Sequence, residues 1–296
     1  MAGFPDPRPV SVESAELGEG ARWDAATGEL LWVDIVAGIL RRAVEDGPGL
    51  RTVAEVHLAE PLGAVAPVAG GGWLLAAGRG FRHLAPDGGV TTLADTEAAG
   101  VRMNDAACDP QGRLWAGTMA EDKAPGGGRL LRCDPDGTVA VVLPAATIPN
   151  GLGWSPDGGT LYHADSGPGV VTAYPVDPAT GRLGPGRELV RPAGGVPDGL
   201  TVDDEGALWV AVNGAGEVHR YSPAGQRLAT VRLPAAQVTS VAIGGAGGRR
   251  LFVTTAREGS ADPEPDAGRV FAVDDVGVGA PPVRAYRGAL PRVLSG

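Results

Sequence analysis

Lysine is all but missing from this sequence: Lys123 is the only one among 25 basic residues, against 35 acidic residues and a formal net charge of −10. No cluster of Lys or Arg interrupts that balance. A nucleic-acid-binding surface works by displacing counterions from phosphates with a cationic face, so nucleic acid is excluded as a partner. Cysteine is scarce too. Cys108 and Cys133 lack C-x-x-C spacing and, in a chain of 296 residues, supply no disulfide framework, which points to a reducing cytoplasm. The start, Met1-Ala2-Gly3-Phe4-Pro5-Asp6, has neither a basic region nor an apolar run of the signal-peptide kind. The longest uncharged stretch, Pro61 to Gly78, is broken by Pro67 and by Gly70-Gly71-Gly72. It is shorter than the ~20 residues a spanning helix requires. A soluble, cytoplasmic protein with no membrane partner is expected.

What the chain has in abundance is Gly (48) and Pro (26), a quarter of all residues. That fraction borders on the low-complexity range, yet 43% of residues are hydrophobic and only 20% charged. A disordered chain lacks the apolar residues to offset its ordering entropy. Long helices are disfavoured, because Gly and Pro are the two worst residues in a helix interior. An apolar chain cut often by turns implies many short strands, and so an all-β fold.

Those strands repeat. A small turn followed by an apolar strand around a large residue recurs with Trp32, Leu74, Trp115, Tyr162, Trp209 and Phe252 as anchors, at spacings of 42, 41, 47, 47 and 43. That is the length of a four-stranded propeller blade. Within the third repeat the pattern predicts strands at 104–108, 114–118, 129–133 and 138–143, separated by turns such as Asp109-Pro110-Gln111-Gly112 and Asp134-Pro135-Asp136-Gly137. Proline presets φ in such turns and glycine supplies the positive φ. The sequence therefore predicts a six-bladed β-propeller with four antiparallel strands per blade, one domain over residues 1–296. Ring closure is expected from Val10–Ala15 pairing in the blade that also holds Val283–Arg287. Trp32, Trp115 and Trp209 are assigned to blade packing.

In a propeller the first strand of each blade lines the central channel. Counting back 11 to 13 residues from the anchors places Glu19, Asn104, Asn150, Asp198 and Ser240 at equivalent inner positions, with Leu62-Gly63 in the second blade. Taken singly each is ordinary: Asn150-Gly151 and Asp198-Gly199 read as turn dipeptides, and Glu19 as a solvated loop residue. Their coincidence at one mouth of one channel is not ordinary. Two carboxylates held together without a counter-charge repel, and one must take a proton. A divalent cation removes that penalty. Glu19 and Asp198 would neutralise it and Asn150 would add a neutral oxygen, a donor set that suits Ca²⁺, Mg²⁺ or Mn²⁺. Zn²⁺ fits with less support, for want of His or Cys ligands. Arg102 lies two residues before Asn104 and so points the same way along a strand, where its forked donors can bind substrate oxygens. Taken by itself, its spacing is as well explained by a surface salt bridge. Glu121 falls on the loop after the strand from Leu114, and alone reads as a surface residue.

At these residues the chain closely resembles the gluconolactonase/regucalcin family, also called the senescence marker protein family. The matching stretches include Leu17-Gly18-Glu19-Gly20 with Trp23, Arg102-Met103-Asn104-Asp105, and Ala116-Gly117-Thr118-Met119-Ala120-Glu121. Further on come Pro149-Asn150-Gly151-Leu152, Pro197-Asp198-Gly199 and Leu251-Phe252-Val253-Thr254. The resemblance implies a divalent metal held by Glu19, Asn150 and Asp198, and a sugar-like substrate contacted by Arg102, Asn104 and Glu121. It departs from the family pattern at Ala21, Met103, Ala106 and His163, where proline, Phe, Gly and Tyr are usual. Met103 and His163 are expected near the pocket, bearing on substrate size.

The function this implies is metal-dependent hydrolysis of a sugar lactone to the sugar acid, with Asp198 as the catalytic base. The alternatives are a non-catalytic, regucalcin-like calcium-binding protein, and an organophosphate or aryl-ester hydrolase on the same scaffold. A serine hydrolase is disfavoured: none of the four histidines falls at a channel position and no G-x-S-x-G occurs. A monomer or weak homodimer is expected.

Overall fold

The computed structural model describes residues 4–290, and nearly every element in it is a strand. A short strand, β1 (Arg8–Pro9), precedes the first blade. Blade one is β2 (Gly18–Asp24), β3 (Glu29–Asp34), β4 (Ile39–Asp46) and β5 (Gly49–His57); blade two is β6 (Leu62–Pro67), β7 (Trp73–Ala77), β8 (Gly80–Leu84) and β9 (Val90–Asp95). Blade three comprises β10 (Val101–Cys108), β11 (Leu114–Ala120), β12 (Gly128–Cys133) and β13 (Val139–Ala146). Blade four comprises β14 (Pro149–Trp154), β15 (Thr160–Asp165), β16 (Val170–Pro175) and β17 (Arg187–Val190). Blade five is β18 (Val196–Val202), β19 (Leu208–Asn213), β20 (Glu217–Tyr221) and β21 (Arg227–Arg232). Blade six takes β22 (Val238–Gly244), β23 (Arg250–Thr255) and β24 (Phe271–Val273) from the end of the chain and β1 from its beginning. The fold is the all-β six-bladed propeller with four antiparallel strands per blade. Among the described residues no helix is long and apolar enough to cross a membrane.

Each anchor residue lies on the second strand of its blade, and the reason is packing on both faces. In β3, Leu30 and Trp32 join the core against blade six while Leu31 and Val33 join the core against blade two. A strand buried on both sides reads as a continuous apolar run rather than an alternation. Six such cores form, one for each pair of neighbouring blades. Trp32, Trp115 and Trp209 are almost wholly buried in them, as expected of packing residues. Met103 is another core residue, fully buried between blades two and three. It does not face a substrate site, because its strand neighbours Arg102 and Asn104 take that side.

The inter-strand turns carry buried polar anchors. Asp203 accepts backbone N–H groups of Glu205 and Ala207, the indole N–H of Trp209 at 2.9 Å and Nε of Arg220 at 2.8 Å. Asp109 repeats the arrangement with Gln111, Arg113 and Trp115. Both carboxylates are fully buried, and removing one leaves a guanidinium and several donors unpaired. Asp203→Ala is expected to cost about 3–5 kcal/mol, read as a shift in denaturant midpoint with an unchanged slope.

Closure differs from the expectation in detail. The pairing strand is β1, against β24. Val10–Ala15 runs beside it, with single bonds from Val10 and Ala15 N–H to Val270 and Gly268 carbonyls. Val283–Arg287 is not in blade six at all. The segment leaves blade six and is tied to Asp204 of blade five through Gly279. It then crosses the lower mouth of the channel to blades two and three. There Tyr286 N–H donates to Pro67, and Arg287 N–H to Gly112. Pro281-Pro282 explains the exit, since two residues without N–H donors cannot extend a ladder, whereas Phe271–Val273 can and is fully buried there.

Candidate active site

All six innermost strands carry a register shift at the same height: between Glu19 and Arg22, Leu62 and Ala64, Met103 and Ala106, Pro149 and Leu152, Pro197 and Leu200, and Val238 and Ser240. One extra residue per inner strand bends it and re-aims side chains. Asn150-Gly151 and Asp198-Gly199 are therefore not turns but bulges inside β14 and β18. The glycines there answer to crowding near the axis. A Cβ on Gly199 would lie 2.6 Å from Ser240 Oγ, and one on Gly63 would lie 2.2 Å from the Asn104 carbonyl oxygen.

Glu19, Asn104, Asn150 and Asp198 all converge, and all are buried. Their hydrogen bonds form a directed chain around the mouth. Arg102 Nη1 donates to Asn104 Oδ1 at 2.8 Å, and Asn104 Nδ2 donates to Asn150 Oδ1 at 2.7 Å and to the Pro149 carbonyl at 2.9 Å. Asn150 Nδ2 donates to Ser166 Oγ at 2.8 Å, and Ser166 Oγ donates to the Pro197 carbonyl at 2.6 Å, next to Asp198. Every amide is thereby oriented, with Asn150 Oδ1 keeping a second lone pair. Asn213 Nδ2 holds Asp198 Oδ2 at 2.9 Å, and Asp198 Oδ1 is buried with no partner.

The electrostatics are those of an uncompensated acidic pair. Burial raises the Glu19 carboxyl well above its ordinary range, and the charges of Asp198 and Asp105 push it further. Burial likewise raises Asp198 to about 7, against the opposing hydrogen bonds from Asn213 and from the Glu19 carboxyl. Asp105 is raised by burial and held back by Arg22, whose Nη2 lies 3.3 Å from it. Among the described residues no three His, Cys, Asp or Glu side chains form a metal-ligating group. Two carboxylates and an amide oxygen are the donor set, and the orphaned Asp198 Oδ1 fits a hard divalent ion.

Arg102 is half-buried at the rim. Burial lowers its hold on the proton while Glu258, Glu19 and Glu121 strengthen it. Glu121 is exposed on the loop after β11, its N–H bonded to the Gly100 carbonyl, and its side chain makes no hydrogen bond to the cluster. His163 is buried with Nε2 unpartnered, and burial lowers its pKa to about 4.

Sequence reasoning missed Ser166, Asn213, Asp105 and Glu258. A signal for two of them existed at the end of each second strand. Asp34 there accepts the N–H groups of Glu16 and Leu17, just ahead of Glu19, and Asp165 accepts those of Thr147 and Ile148, just ahead of Asn150. In blade five the same place holds Asn213, which reaches Asp198 directly. Ser166 follows Asp165. Asp165→Ala is expected to loosen the approach to Asn150 and, on the ion-binding reading proposed below, to weaken affinity for a divalent ion about tenfold, measured by calorimetric titration at unchanged protein concentration.

A six-bladed propeller with a carboxylate–amide cluster at one mouth of its channel defines the class. Residues 17–257 match the family described as SMP-30/Gluconolactonase/LRE-like region, and the chain belongs to that family. It is 38% identical to 6-deoxy-6-sulfogluconolactonase of Pseudomonas putida over 274 residues, covering 89% of this chain and 92% of that one. Regucalcin of Xenopus laevis is 35% identical over 284 residues, covering 91% and 94%. A solved regucalcin from Agrobacterium tumefaciens, described as a calcium-binding protein, superposes with a TM-score of 0.88 at 29% identity, covering 97% of this chain and all of that one.

Proposed function

We propose that the protein hydrolyses a sugar lactone with the help of one divalent cation, Ca²⁺ first among the hard ions. The observation that carries the reading is the buried, interacting Glu19–Asp198 pair, in which Asp198 Oδ1 accepts no hydrogen bond from a donor. Relatives named as a lactonase and as regucalcins support it. Glu19, Asn150 and Asp198 would hold the ion; when bound it supplies Lewis acidity toward the lactone carbonyl and its developing oxyanion.

The chain's own residues do the rest. Asp198, with Oδ2 fixed by Asn213, is the base that takes a proton from the attacking water. Arg102 has donors beyond the one given to Asn104 and binds ring hydroxyls. The fixed Asn104 amide and the carboxylate of Glu121 complete the substrate contacts. Orientation of this kind lowers the barrier without new chemistry. The calcium-binding reading is favoured by the description of the solved regucalcin, but a storage site does not call for the half-buried Arg102 bonded to the buried Asn104 amide.

The test is to strip the protein with a chelator and follow proton release from gluconolactone, xylonolactone and arabinolactone as metals are restored one at a time. Hydrolysis should appear only with metal, and with at least one of the three. Hydrolysis at full rate in the chelator, or none with any metal, rejects the reading.

A further inference from the structure

The chain has only three asparagines, Asn104, Asn150 and Asn213, and all three belong to the carboxylate–amide cluster. Asparagine is a turn residue by preference, yet each of the three lies within a strand, in β10, β14 and β19. An amide has a donor end and an acceptor end. What it does in this cluster therefore depends on which way it is turned, and on what turns it.

Asn150 is bonded at both ends. Its Oδ1 accepts from Asn104 Nδ2 at 2.7 Å, and its Nδ2 donates to Ser166 Oγ at 2.8 Å. Ser166 Oγ in turn lies 2.6 Å from the Pro197 carbonyl. A carbonyl can only accept, so the single hydroxyl proton of Ser166 goes to Pro197 and a lone pair is left facing Asn150. Only the NH₂ end of Asn150 suits that lone pair. Turned over, Asn150 would set its NH₂ against the NH₂ of Asn104, which the Pro149 carbonyl pins at 2.9 Å. The backbone of Ser166 does not depend on these bonds. Its N–H donates to the Ile148 carbonyl, and the neighbouring Asp165 carboxylate accepts from Thr147 and Ile148. Buried, and with its one proton committed to a carbonyl, Ser166 is not placed as a nucleophile.

We infer that Ser166 is a positioning residue for the ion site: its hydroxyl keeps the Asn150 amide oxygen, rather than the NH₂, available to a cation held with Glu19 and Asp198. The same hydroxyl ties blade four to the backbone immediately before Asp198, so one side chain links two of the three ligands. The inference rests on the ion-binding reading proposed above. Without the hydroxyl the amide is free to turn, and an NH₂ group directed at a cation repels it. A carboxylate in place of the Asn150 amide has two equivalent oxygens and needs no turning. That difference separates orientation of a ligand from general support of the fold.

Ca²⁺ titrated by calorimetry should bind about tenfold more weakly to Ser166→Ala than to the wild type, the usual cost of losing the partner of a metal ligand. In an Asn150→Asp background the same substitution should cost less than about twofold, a coupling that a double-mutant cycle isolates. A second measurement needs no ion. In metal-free protein labelled with ¹⁵N-asparagine, Ser166→Ala should shift the side-chain amide signals of Asn150 and leave those of Asn213 in place. Unchanged affinity in Ser166→Ala, or an equal loss in both backgrounds, overturns the assignment. A wild type that takes up no divalent ion rejects the ion-binding reading instead. The Asn150 signals then decide whether Ser166 orients the amide: shifted signals uphold it and unmoved signals overturn it. If Ser166→Ala does not fold, Ser166→Cys, similar in shape and weaker as donor and acceptor, takes its place in both measurements.

Discussion

Asp198→Asn is expected to lower lactone turnover by about 10³-fold or more, the scale of a lost general base. The substitution keeps the size of the side chain and an oxygen for Asn213 to hold. It removes the negative charge that the proposed roles of base and ion ligand both require. The two roles separate by measurement. Turnover at saturating metal reads the base, and calorimetric titration of the ion reads the ligand. A variant that needs more metal but turns over at the wild-type rate once saturated would move the base elsewhere. Asn213→Ala should act in the same direction and less strongly, because it frees the carboxylate to rotate without removing it.

Glu19→Gln carries the second large effect, and its sign reverses with the metal. In the metal-free protein Glu19 and Asp198 are buried near each other, and burial raises both carboxyls. A group whose folded pKa lies above its unfolded value stabilises the fold in acid and loses that contribution as pH rises. For Asp198 the loss runs from the ordinary value of 3.8 up to about 7. Glu19 is raised as well and shares a hydrogen bond with Asp198, so the repulsion in the metal-free wild type appears only once both carboxyls have lost their protons, and a neutral glutamine abolishes it. Metal-free Glu19→Gln should therefore gain in melting temperature relative to metal-free wild type as pH is raised from 4 into the alkaline range, with little difference at pH 4. Adding Ca²⁺ should raise the melting temperature of the wild type by mass action and leave the variant almost unmoved. A variant that gains nothing as pH rises without metal would mean that the pair is compensated by something other than an ion.

Much of this site is legible in the sequence, and the reason is the repeat. Six anchors at nearly constant spacing fix which residues start the inner strands, so Glu19, Asn104, Asn150 and Asp198 can be placed together before any coordinates exist. The placement works because each blade buries its second strand on both faces, leaving an unbroken apolar run to count from. Arg102 is legible for the simpler reason that strand geometry repeats every two residues, and its bond to Asn104 follows. Glu121 is only half legible. The loop is where the pattern puts it, but its side chain reaches no partner in the cluster.

What stayed illegible depends on contacts between blades or across the channel. Ser166 and Asn213 sit at the ends of second strands, and only the closed ring brings them to Asn150 and Asp198. Arg22 meets Asp105 across 83 residues of chain. The turn that Asn150-Gly151 and Asp198-Gly199 each suggest in isolation is absent, because the same dipeptides serve a bulge, where a glycine is required by close neighbours rather than by its own dihedral angles.

By itself, then, the sequence determined the blade number, the turns, the packing residues and the family of acidic and amide groups that line one mouth, because all of these are periodic and local. The tertiary structure alone decided which oxygens are left unpartnered, how the amides are turned, and that residues 279–287 leave blade six for blades two and three. Those features hang on bulges and on inter-blade hydrogen bonds, whose geometry exists only once the ring has closed.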